Sequence, residues 1–126
     1  MINQLSKKIH AANKQKGFYD NERSIPEALC LIHSEVSEAL ECDRKGRYAP
    51  APDFVKSYVQ EIDGDFFKSS FEEFVKDTFE DELADIMIRV MDLAAYKGVD
   101  LERHIEMKLR YNAMRPHLHG KNTNGL

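Results

Sequence analysis

Two pairs of carboxylates carry the clearest chemical signal in this chain: Glu35-Val36-Ser37-Glu38 and Glu82-Leu83-Ala84-Asp85, an ExxE and an ExxD. Residues three apart on a helix face the same way. Glu82 and Asp85 belong, with Arg89, Asp92 and Tyr96, to one narrow polar stripe on a segment that is otherwise apolar nearly all round, Phe79 to Tyr96. Such a helix is normally buried, and isolated carboxylates are costly to bury. Glu35 and Glu38 share a sector with Leu31 and Cys42, beside the apolar stripe Leu29, Ile32, Val36 and Leu40. The solvated face of that helix is His33, Ser34, Ser37, Glu41 and Arg44. Two such helices packed face to face would gather four carboxylates, and a divalent cation would offset their repulsion. An all-oxygen set suits Mg²⁺, Mn²⁺ or Ca²⁺ rather than zinc.

Either acidic motif alone is common on soluble helices, and Arg89 can neutralise part of the stripe without a metal. Asp92 reads either as a further ligand or as the partner of Arg89, and the second reading is preferred. A di-iron bundle would need Glu-x-x-His pairs, and no Glu here is followed three residues later by His.

A second group lies near the end of the chain. Lys108, Asn112 and Arg115 are spaced to line one helix face, and Lys121 follows beside Gly120. Between Met107 and Leu126 there are four Lys/Arg and no Asp or Glu. Lys as a point charge and Arg as a fork both suit phosphate. By itself such a stretch equally complements a helix dipole. Beside a carboxylate cage, it points to a metal–polyphosphate site.

The positioning elements are helices. Ile2, Leu5, Ile9 and Ala12 predict a first helix ending near Lys16-Gly17. Ser24-Ile25-Pro26-Glu27 resembles a capping box that starts a second helix running to about Lys45-Gly46. Asp53 suits the start of a short helix interrupted at Gly64-Asp65; Ser69 and Ser70, each three residues before a Glu, suit the start of a long third helix that continues through Phe79–Tyr96 to Lys97-Gly98. Asp100 caps a last helix ending around Arg115-Pro116, and residues 117–126 read as a tail. With no β alternation, the fold class is all-α: a bundle of four main helices with a short inserted segment, in a single domain over residues 1–126.

Bulk properties narrow the function classes. The chain has 126 residues, 42% hydrophobic and 32% charged, as in a globular domain with a real core. A net charge of −4 argues against a nucleic-acid polymer as partner. No apolar run approaches membrane-spanning length, and the first residues have no signal-peptide core. Cys30 and Cys42, about 18 Å apart along one helix, are too distant to pair, which fits reduced thiols and a cytoplasmic location.

Taken together, LIHSEVSEALE, FEDELADIMIRVMDLA, the closing KLRYNAMRPHLHGK and the early KGF of Lys16 to Phe18 resemble the MazG-like all-α nucleoside triphosphate pyrophosphohydrolases. The resemblance covers most of the chain outside about residues 47–71. It implies a dimer or tetramer of helical bundles in which Glu35, Glu38, Glu82 and Asp85 bind Mg²⁺, with Mn²⁺ a substitute. It further implies that water attacks the α-phosphorus of a nucleoside triphosphate, releasing a nucleoside monophosphate and pyrophosphate. Lys108, Asn112 and Arg115 would hold the phosphates, with Tyr111, Lys121 and Lys16 as further contacts. A binding module without turnover and a purely structural helical partner are the alternatives.

The inserted segment departs from the compact family spacing. Phe54, Tyr58, Phe66, Phe67, Phe71 and Phe74 crowd it. Phe71 and Phe74 are expected in the core or an interface. Tyr58, Phe66 and Phe67 are expected to form a flap whose rings stack on the base.

Overall fold

Helix ends are set by local chemistry. A computed structural model describes residues 1–116, which form six α-helices and one π-helical turn, with no strand among them. The α-helices are α1 (Ile2–Gln15), α2 (Ile25–Arg44), α3 (Pro52–Val55), α4 (Gly64–Phe74), α5 (Phe79–Tyr96) and α6 (Leu101–Ala113), and the π-helical turn is Lys56–Gln60. Ser24 caps α2 by accepting the Glu27 N–H at 3.4 Å, with proline in the first turn. Asp100 caps α6 through the Arg103 N–H. Gly17 ends α1 at φ +90°, where a Cβ would also come within 2.9 Å of the Asp20 carboxylate.

The expected long third helix is two helices. Between α4 and α5 the chain turns at Asp77, a non-glycine residue at φ +62°. Its N–H is held by the Asp81 carboxylate at 2.9 Å, and Thr78 Oγ1 accepts the Asp81 N–H at 3.3 Å. The short inserted helix starts at Pro52, so Asp53 lies inside its first turn instead of capping it. Gly64 and Asp65 open α4 rather than breaking a helix, and the interruption falls just before them. Residues 117–126, including Lys121 and the expected tail, lie outside the described residues. No helix among those described is long and apolar enough to cross a membrane.

The chain divides into two compact units, with the boundary inside α5. The unit of residues 21–90 holds α2, the inserted segment and the first two-thirds of α5. Cys42 is 1% exposed and its thiol meets the Asp77 carbonyl at 3.3 Å. The Phe79 N–H donates to the Arg47 carbonyl at 2.9 Å. These contacts tie the end of α2 to the start of α5, and an ion pair between Glu35 and Arg89 ties the earlier part of α2 to a later part of α5. The two helices therefore run antiparallel. The inserted segment is anchored in the same unit by Val59, 2% exposed, and by the Ala49 N–H on Glu80.

The other unit packs α1 and α6 with the last turns of α5. The apolar stripe expected on α1 is covered only in part, with Ile2 and Ile9 partly buried and Ala12 exposed. Leu5 is 44% exposed, whereas Ser6 is buried and Ile9, His10 and Asn13 are partly so. The cause is Asp92. Instead of pairing with Arg89, this carboxylate is 6% exposed and takes hydrogen bonds from His10 Nδ1 (2.9 Å), Asn13 Nδ2 (3.0 Å) and Tyr19 OH (2.7 Å). Tyr19 stacks on Tyr96 with ring centroids 4.8 Å apart. Asp92→Ala strands three donors around a void, so it should lower unfolding free energy by about 3 kcal/mol, read as a fall in urea midpoint. A loss under about 1 kcal/mol would mean that the network does not hold this unit together.

Candidate metal centre

Three of the four expected acids meet. Glu35 on α2 is 9% exposed and Glu82 on α5 is 4% exposed. With Asp85, partly buried one turn further along α5, each offers an oxygen, and these oxygens all lie within 4.8 Å of one another. Glu38 is exposed and stands outside that group. Three residues on from Glu35 it sits about 60° further round α2, at the rim rather than on the face toward α5. Its charge still acts on Glu82.

Like charges out of water resist ionisation. Burial, a hydrogen bond with Glu35 and the charges of Glu38, Glu35 and Asp85 push the Glu82 carboxyl up to about 7. Asp85 is raised too, by burial and by Asp81 and Glu35, with Arg89 pulling the other way. Arg89 Nε donates to Glu35 Oε2 at 3.1 Å. The spacing hinted at this, since Arg89 follows Asp85 by four residues on the same stripe; its partner across the helix pair was not legible. An octahedral Mg²⁺ or Mn²⁺ places neighbouring oxygens about 3 Å apart. Small side-chain movements would close the three carboxylates on one such ion, and oxygen donors of this kind suit it.

The expected phosphate contacts belong to the other unit. Lys108, Tyr111, Asn112 and Arg115 are all exposed, the first three on α6 and Arg115 just beyond it. Lys108 Nζ and the Arg115 guanidinium lie 5.1 and 5.8 Å from the centre of the Tyr111 ring, so one aromatic face gathers two cations. Lys16 is the exposed C-cap of α1. Of the aromatic rings in the inserted segment, Phe66 is 77% exposed, Tyr58 58% and Phe67 42%. Phe54 packs against both Tyr58 and Phe74, and Phe67 lies beside Phe71.

The raised carboxyls give a pH dependence of defined sign. Glu82 holds its proton more tightly folded, near 7, than its ordinary value of 4.5. The stability it contributes is full below about 4.5 and is lost as pH rises through about 7. Thermal unfolding in chelator should therefore show Tm falling across that window, and Glu82→Gln should flatten the slope. An equal slope in the variant would remove Glu82 as its source. No family model matches this chain, and neither the curated proteins nor the solved structures compared with it give a match.

Proposed function

We propose that the chain is a Mg²⁺-dependent nucleoside triphosphate pyrophosphohydrolase of the MazG-like kind, cleaving between the α- and β-phosphates to give a nucleoside monophosphate and pyrophosphate. The observation that carries this is the convergence of Glu35, Glu82 and Asp85 from the ExxE and ExxD motifs, with oxygens within 4.8 Å of one another. These three would hold the cation, with Glu38 at the rim. When bound, the ion supplies charge neutralisation at the phosphates and an acidified water. Phosphoryl transfer asks the protein mainly for positioning and electrostatics. Without a cation Glu82 holds its proton up to about 7, so cation binding there would release that proton. Lys108, Asn112 and Arg115, with Tyr111, Lys16 and Lys121, are proposed to hold the phosphate chain.

The ion pair of Arg89 with Glu35 favours a second possibility, an interaction protein whose acids are simply neutralised from within. A nucleotide panel with Mg²⁺, scored for pyrophosphate against orthophosphate, separates the two. Pyrophosphate release is expected, and Asp85→Asn should cut it by about a hundredfold or more with helicity intact, since even outer-shell partners of metal ligands are worth about 10- to 100-fold. Absence of pyrophosphate from every nucleotide, or an Asp85→Asn rate equal to wild type, would overturn the assignment.

We also propose a homodimer or homotetramer. On α2, Leu29, Val36 and Leu40 are 46–50% exposed, and on α5, Leu83, Met87 and Ile88 are 41–47% exposed. The α2 stripe expected in the core thus stays half open, and a second copy about a two-fold axis is the simplest cover for such faces. Light scattering at micromolar concentration should give at least a dimer; a monomer mass would refute it.

A further inference from the structure

We propose that Arg89 is a tethered counterion that a divalent cation must displace from Glu35, so that it sets the cation concentration at which the acidic site fills. The inference rests on the metal reading of Glu35, Glu82 and Asp85. Arg89 Nε sits 3.1 Å from Glu35 Oε2, and its charge also acts on Asp85, one turn before it on α5. It thus offsets two of the three acids that an entering ion would need.

The pair is asymmetric. The Arg89 side chain is 39% exposed, whereas that of Glu35 is 11% exposed. Glu35 is held between helices and cannot follow its partner outward. The arginine, on a long flexible stem, can turn its head into water without stranding a buried charge. A divalent ion among the carboxylates would repel the guanidinium and take over its task of neutralisation. Competition of this kind is reciprocal: Arg89 weakens cation binding by the same factor by which the cation weakens the hold of Arg89 on Glu35.

Calorimetric titration of the full chain with Mn²⁺, alongside Tm in chelator and in saturating Mn²⁺, tests the exchange. Arg89→Gln should tighten the Mn²⁺ Kd by about tenfold, within the usual range of such couplings. It should lower Tm in chelator but much less in Mn²⁺. Arg89→Lys, which keeps the charge, should stay within about twofold of the wild-type Kd. Folding of Arg89→Gln only when Mn²⁺ is present would be the same exchange at its limit. A Kd for Arg89→Gln that is unchanged or weaker, equal tightening by the lysine variant, or failure of Arg89→Gln to fold in either condition would each overturn the proposal while leaving the metal reading in place. Wild-type protein that binds no Mn²⁺ would remove both.

Discussion

Three carboxylates share a confined space between α2 and α5, and much of the unit around them answers to that crowding. Glu35 and Glu82 are nearly out of water and Asp85 is partly so. Each would repel the others if all were ionised. Two devices relieve the repulsion: the proton that Glu82 retains to near neutrality and the guanidinium that Arg89 lays against Glu35. Neither is a deep well. A proton leaves with pH, and an arginine side chain that is 39% exposed can turn away. The helix pair is held in register from the far end, where the Cys42 thiol and the Arg47 carbonyl fasten the turn at Asp77 and the start of α5.

The same polar stripe of α5 carries a second buried carboxylate with the opposite treatment. Asp92 is surrounded by donors, and His10, Asn13 and Tyr19 satisfy it with short hydrogen bonds. A carboxylate so satisfied stabilises its unit and has little left to offer a ligand. Glu82 has acids for neighbours, and its charge is unresolved. Buried titratable groups whose environment works against them concentrate at functional sites, whereas fully bonded ones generally serve structure. By that criterion the candidate centre is at Glu82, not at Asp92, although both lie on one helix, ten residues apart.

Exposure of apolar surface follows from the same economy of faces. A helix such as α5, apolar on most of its circumference, needs covering on several sides, and α2 covers only one. Leu83, Met87 and Ile88 stay open, as do Leu29, Val36 and Leu40 on α2. The buried residues of α2 are Ala28, Glu35, Ala39 and Cys42, beside rather than on its apolar stripe. Glu35, the one acid among these small residues, meets the acids of α5.

The amino-acid sequence alone determined the helical class, the ends of α1, α2 and α6, and the facing spacing of Glu35 with Glu38 and of Glu82 with Asp85. Each of these depends on local signals: caps at Ser24 and Asp100, a glycine after α1, and three-residue spacing on a helix. Tertiary structure decided what such signals cannot reach. It broke the expected long helix at Asp77, whose positive φ is held by Asp81 and whose carbonyl meets Cys42, 35 residues away in sequence. It turned Glu38 to the rim, because the rotation of α2 is fixed by what packs against it and not by its own stripe. It gave Arg89 to Glu35 and Asp92 to α1, since partners 54 and 82 residues away leave no periodic trace. Spacing along a helix names the residues that share a face; only the helix packed against that face decides what they meet.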